Sequence, residues 1–233
     1  MAVPTDSSGD TFFREVDENL RRDQLQDIAR KYGAWIIAGI VLLLAATGGW
    51  IYYQNRQAKA AAEQSEVLAQ IYTDIGAGKL TTIPQRLDAL AGKTSGALRA
   101  SAMLTRAAVA IEQNQRPVAI AKFREISADD DLPQPYRDLA LIRSTTMEFD
   151  TIAPDQVIAR LQPLTKPGNP WFGSAGELTA MALIKQGKKL EAGRLFAAVA
   201  ADQQVPDSIR ARSVQIAGTL GVDASASMPT TTQ

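Results

Sequence analysis

The chemistry open to this chain is limited first by what it lacks. It contains no Cys and no His, which removes thiol and imidazole catalysis, disulfides and Cys/His metal sites. No G-x-S-x-G, P-loop or G-x-G-x-x-G sequence occurs, so the familiar nucleophile and phosphate-binding motifs are absent as well. Three groups of residues remain. Asp129-Asp130-Asp131 would suit a cation, but acids in a row before Pro133 read more simply as a solvated loop. Arg99, Arg137 and Arg210 would pair either with a partner's carboxylates or with acids on neighbouring helices. Trp171-Phe172 offers an exposed aromatic platform or, more simply, packing at a junction between elements. The expectation is a protein without catalysis, cofactor, metal or small-molecule substrate. Its 25 basic and 25 acidic residues cancel, so no nucleic-acid partner is expected either.

These residues hang on two kinds of element. The first is residues 32–55, YGAWIIAGIVLLLAATGGWIYYQN, which carry no charge between Lys31 and Arg56. About 20 helical residues cross a bilayer core of about 30 Å, so this segment is long enough for a transmembrane helix, with membrane lipid as its surroundings. Trp35 stands at one edge and Trp50, Tyr52 and Tyr53 at the other, as interfacial aromatics do. Ala58-Lys59-Ala60 would fit a signal-peptidase site, but the apolar run exceeds a signal peptide's h-region and a long segment precedes it. Arg14, Arg21, Arg22, Arg30 and Lys31 lie on the N-terminal side, against Arg56 and Lys59 just beyond the span. The positive-inside rule therefore puts residues 1–31 in the cytoplasm and residues 56–222 outside. Residues 11–31 read as a short charged helix with Phe13, Val16, Leu20 and Ile28 near one face, either a surface for membrane or partner or a solvated lead-in. Residues 1–10 and the tail 223–233 are polar, and both are expected to be disordered.

The second kind of element is a repeat. IEQNQRPVAIAKF at 111–123 returns as IKQGKKLEAGRLF at 184–196, 73 residues later. Pro133 and Pro206 share this offset, as do Arg137 and Arg210. Half-length units emerge from apolar triplets at i, i+4 and i+7: Ile83-Leu87-Leu90, Ala119-Phe123-Ile126, Val157-Leu161-Leu164 and Ala192-Phe196-Val199. Gly78, Asn114 and Gly187 precede three of these, and such residues accept the left-handed turn that ends a helix. Each unit is thus helix, tight turn, helix. The expected repeats are 58–92, 97–131, 135–168 and 171–204, followed by a capping helix at 207–220 with Asp207 or Ser208 as N-cap. The Ala-rich stretch after the span has neither Pro nor Gly until Gly76, so the spanning helix should run on into the first repeat.

The pairs Ala119/Phe123 and Ala192/Phe196, with Ala107 and Ala180 at the helix crossings, resemble the anchors of tetratricopeptide repeats. The Trp and Tyr usual in the first helix are missing, and the third unit departs with Val157/Leu161 and an insertion near Ala153-Pro154. The fold class expected is all-α: one N-terminal transmembrane helix followed by an α-solenoid of degenerate tetratricopeptide-like hairpins. The full layout is more specific. FFREVDENLRRDQLQDIARKYG leads into an uncharged span that ends GGWIYYQ, and a stalk and repeats follow. It resembles the YfgM-like family, the ancillary subunits of the bacterial Sec translocon. That resemblance implies a single-pass inner-membrane protein with a periplasmic repeat domain. The implied partners are translocon subunits, periplasmic chaperones and exported chains.

Solenoids bind partners along the groove lined by first helices. The repeat places Tyr72, Leu104, Ala108, Ile111, Glu112, Ile142, Thr146, Glu177, Met181 and Lys185 there. The set is mostly apolar, which suits an extended or helical apolar segment, and Met181 adapts to varied partners. Several of the ten would instead serve packing against the next repeat if the repeats have drifted. The expected function is a membrane-tethered periplasmic adaptor or chaperone. A scaffold for cell-envelope or cell-division complexes would use the same groove, and a mid-cell rather than even membrane distribution would mark it.

Overall fold

Ala-rich amphipathic segments separated by Gly, Asn and Pro should give short antiparallel helices, and they do. The computed structural model describes residues 8–228, with side chains from residue 30 onward except those of Ile36, Gln57 and Ala60. Nine helices follow in order among the described residues: α1 (Ser8–Gly76), α2 (Ile83–Ala91), α3 (Gly96–Glu112), α4 (Arg116–Ala128), α5 (Gln134–Glu148), α6 (Pro154–Leu161), α7 (Phe172–Lys185), α8 (Lys189–Ala201) and α9 (Asp207–Thr219). A 3₁₀ turn, Ser225–Ser227, completes the chain, and no strand occurs among the described residues. The proposed apolar face of Phe13, Val16, Leu20 and Ile28 concerns side chains outside that description, as residues 1–7 are.

The chain forms two units, residues 1–62 and residues 63–233. In the first, α1 carries a stretch long and apolar enough to cross a membrane, with none of its apolar window buried by protein. A cation lies against an aromatic ring at each end of this stretch: Lys31 Nζ is 5.7 Å from the Tyr32 ring centre, and the Arg56 guanidinium is 5.5 Å from that of Tyr52. The rise of the helix from Tyr32 to Tyr52 is about 30 Å, the thickness of a bilayer's hydrocarbon core.

In the second unit the helices pair as hairpins: the last turns of α1 with α2, α3 with α4, α5 with α6, and α7 with α8, with α9 on the end. The turns explain themselves. Gly78, Asn114 and Gly187 have φ of 74°, 58° and 78°. The amide of the residue after each donates to the carbonyl five residues back: Lys79 to Asp74, Gln115 to Ala110 and Lys188 to Leu183. This is the left-handed helix stop. Pro near the first position opens α2, α4, α5 and α6, where its missing N–H costs nothing.

All twelve triplet residues are buried, none more than 5% exposed. Ile83, Leu87 and Leu90 pack with Leu68 and Ile71 of α1. Phe123 and Ile126 close on Ala107 and Ala140. Phe196 closes on Ala180 and Ala217, and Leu161 packs against Ala175 and Ile142. Burying each large side chain contributes about 1.5–3 kcal/mol. The alanines at the crossings, Ala107 and Ala180, are fully buried; a larger side chain there would push the helices apart.

Two expectations are corrected. No side chain caps α9. Pro206 precedes the helix, Asp207 is its first residue, and the Asp207 carboxylate pairs with Arg210 at 3.0 Å. The tail is also ordered further than its composition suggests. Val222 lies where any side chain at Gly193 would sit, Ala224 is 8% exposed in the last core, and Arg210 donates to the Ser227 carbonyl. Small residues are what this close approach over a glycine requires. Residues 229–233 lie outside the described residues.

Candidate protein-binding site

The inner faces of the first helices form two separate clefts rather than one groove. The first, about 720 Å³, is walled by Tyr72 and Ile75 of α1 and by Leu104, Thr105, Ala108 and Glu112 of α3, with Leu80 at one end. The Tyr72 hydroxyl shares a 3.1 Å hydrogen bond with Thr105 Oγ1, which ties the two walls together. The second, about 350 Å³, lies between α5 and α7; Ile142, Arg143 and Thr146 face Trp171, Glu177 and Met181 across it.

The ten mapped residues divide accordingly. Tyr72, Leu104, Ala108 and Glu112 line the first cleft. Ile142, Thr146, Glu177 and Met181 line the second. Ile111 is exposed beside the first but lines neither. Lys185 is outside both: its ammonium donates to Asp150 at 2.8 Å and to the Phe149 carbonyl at 3.2 Å, and lies 4.2 Å from the Phe149 ring centre. That hydrogen bond, with the charge behind it, holds the Asp150 carboxyl below its ordinary range. Ile142 is 7% exposed and belongs to the core with Val157 and Leu161, so it forms a floor rather than a free surface. Glu177 is committed to Arg212, which grips both of its oxygens at 2.7 Å.

The groove mapping missed Ile75, Leu80 and Thr105 of the first cleft and Arg143 of the second, and it left out Trp171, which the sequence had offered separately as an aromatic platform. The first-helix stripes place one residue on the α1 wall, Tyr72, and three on the α3 wall; Leu80, in the loop after α1, lies outside any helical period.

The remaining candidates are used inside the fold. Arg99 pairs with Asp129 at 2.8 Å, Arg137 pairs with Asp130, and Arg210 donates to the Ala200 carbonyl. Among the described residues no group of acids or imidazoles is arranged to hold a metal ion. Phe172 is buried with Val199 and Val205, while Trp171 is half-buried and reaches the second cleft. A cluster that the sequence reading did not single out joins the second and third hairpins. Glu148, at the end of α5, has a side chain only 6% exposed between Arg124 of α4 and Arg160 of α6. Burial pushes its pKa up, but hydrogen bonds from both guanidiniums outweigh this and hold it below the ordinary value of 4.5.

Stacked helical hairpins with open clefts on the first-helix side are the architecture of helical-repeat solenoids. The comparisons agree with that architecture. The chain is similar to the ancillary SecYEG translocon subunit of Escherichia coli (strain K12), 24% identical over 178 residues that make up 75% of this chain and 84% of that protein. No solved structure matches it significantly. The family model described as a tetratricopeptide repeat-like domain matches residues 29–216, and the chain belongs to that family.

Proposed function

We propose that this protein is a membrane-tethered adaptor or chaperone that holds polypeptides at the Sec translocon. In this reading residues 32–55 span the bacterial inner membrane once, residues 1–31 are cytoplasmic, and the repeat domain is periplasmic. The excess of Lys and Arg before the span supports that orientation, and the paired cation–aromatic contacts at both ends of the apolar stretch support insertion. The observation that carries the binding role is the first cleft: an open, mainly apolar cavity of about 720 Å³ between two first helices. Its partners are translocon subunits, in keeping with the name of the Escherichia coli relative, together with periplasmic chaperones and exported chains. Because the cleft is on the same chain as a membrane span, contacts of modest strength suffice for partners that share the membrane.

The test is purification of the full-length protein from mild detergent, with its companions identified by mass spectrometry. The reading predicts translocon subunits or periplasmic chaperones in stoichiometric excess over abundant membrane proteins. Recovery of neither would overturn it.

A further inference from the structure

The 73-residue repeat allows each position of α3 to be compared with its counterpart in α7. Leu104 corresponds to Glu177, Ala108 to Met181 and Glu112 to Lys185. Both counterpart charges are satisfied within the fold, Glu177 by Arg212 and Lys185 by Asp150. Glu112 is not. Asp150, the partner of Lys185, lies just past the end of the preceding first helix, and the position 73 residues before it is Ala77. The nearest cation in sequence there, Lys79, pairs with Asp74 at 3.8 Å. Among the described residues Glu112 is therefore an exposed carboxylate without an ion pair, at the end of the first cleft, where the homologous position carries an internal bridge.

We propose that the occupant of the first cleft is an apolar peptide segment bearing a Lys or Arg beside its apolar residues, with that cation placed on Glu112. This rests on the first cleft being the docking surface and adds the chemistry of what docks. Tyr72, Ile75, Leu80 and Leu104 provide the apolar contact; Thr105 donates to the Ser101 carbonyl at 2.8 Å and Tyr72 to Thr105, so both hydroxyl protons are used within the fold. Glu112 then sets direction, because a single charge at one end favours the orientation that brings opposite charge to it.

The experiment uses the full-length protein in zwitterionic nanodiscs, with empty nanodiscs as the blank. The probes are fluorescein-labelled Leu/Ala peptides of one length that carry a Lys pair, a Gln pair or a Glu pair at one end. Anisotropy should rank them Lys, Gln, Glu, with a separation of about threefold or more between the extremes. Glu112→Gln should abolish the ranking and Glu112→Lys should reverse it, with circular dichroism unchanged. Equal binding of all three peptides, or a ranking that survives Glu112→Lys, overturns the charge assignment while leaving the cleft as a docking surface. Failure of every peptide to bind above the blank overturns both.

Discussion

The second and fourth hairpins are the same frame filled in two ways. Ala107, Ala119 and Phe123 of one match Ala180, Ala192 and Phe196 of the other at a constant spacing of 73, and all six are buried. Around that frame the residues diverge. The second hairpin has Arg99, Ala100 and Met103 where the fourth has Phe172, Gly173 and Gly176. Arg99 closes its hairpin with an ion pair to Asp129. Phe172 closes its own by burial, and the glycines make room: a Cβ on Gly173 would meet Val205 at 2.8 Å, and one on Gly176 would meet Val199 at 2.6 Å. Asp202, the counterpart of Asp129, accepts from the Gly168 amide in place of an arginine, while both aspartates accept from the amide two residues on. The fourth hairpin is tightened by apolar packing and its face is tied off by Glu177–Arg212 and Lys185–Asp150. The second leaves its matching face open. Conserving the frame while changing the fill ties one face with internal ion pairs and leaves the other for the proposed docking role.

The comparison can be broken at the frame. Phe123→Ala and Phe196→Ala should each destabilise the repeat domain by about 3–5 kcal/mol, read from urea unfolding of the detergent-solubilised protein. A loss several-fold smaller at one of them would mean that the two hairpins do not share an anchor.

Glu148 gives the next effect. Glu148→Gln leaves Arg124 and Arg160 facing each other without their shared anion, and breaking a buried pair in this way costs about 3–5 kcal/mol, less here because both guanidiniums reach solvent. The sign with pH follows from the direction of the shift. A carboxyl held below its ordinary value of 4.5 contributes stability above that value and loses it as pH falls further toward the folded pKa. The wild-type protein should therefore lose stability below about pH 4.5 more steeply than Glu148→Gln.

Gly176→Ala should cost about 1–3 kcal/mol, because Val199 must move to admit the methyl group. The matching position in the second hairpin holds a buried Met103, so space for a side chain there is already present. The smallest effect is at the ion pair that replaces Phe172: Arg99→Ala should cost about 0.2–1 kcal/mol, and less in high salt. An Arg99→Ala loss equal to that of a buried aromatic would erase the distinction between the two fillings.

What was legible in the sequence follows the same division. The frame was legible because packing at a helix crossing demands small and large residues at fixed spacing, and the left-handed turns at Gly78, Asn114 and Gly187 demand particular residue types. The inner faces of α3 and α7 were legible as stripes. Which stripes remain open was not, because that depends on partners distant in sequence: Arg212 for Glu177, Asp150 for Lys185 and Val157 for Ile142. Glu148 gave one overlooked sign, an acid at the end of an otherwise packed helical face, with arginines twenty-four residues before and twelve after it. The ordered turn at 225–227 was hidden by its composition, since small polar residues mark disorder in isolation, whereas Val222 just before them packs over Gly193 and Ala224 enters the last core.

The central claim is that the open first-helix face binds polypeptide. It is tested most directly by photo-crosslinking in living cells from Leu104 and Met181, with Ala121 on the exposed side of α4 as the comparison. The account predicts adducts from Leu104, and weaker ones from Met181, whose masses identify translocon subunits, periplasmic chaperones or exported chains. Adducts with those proteins from Ala121 and none from Leu104 or Met181 would contradict it.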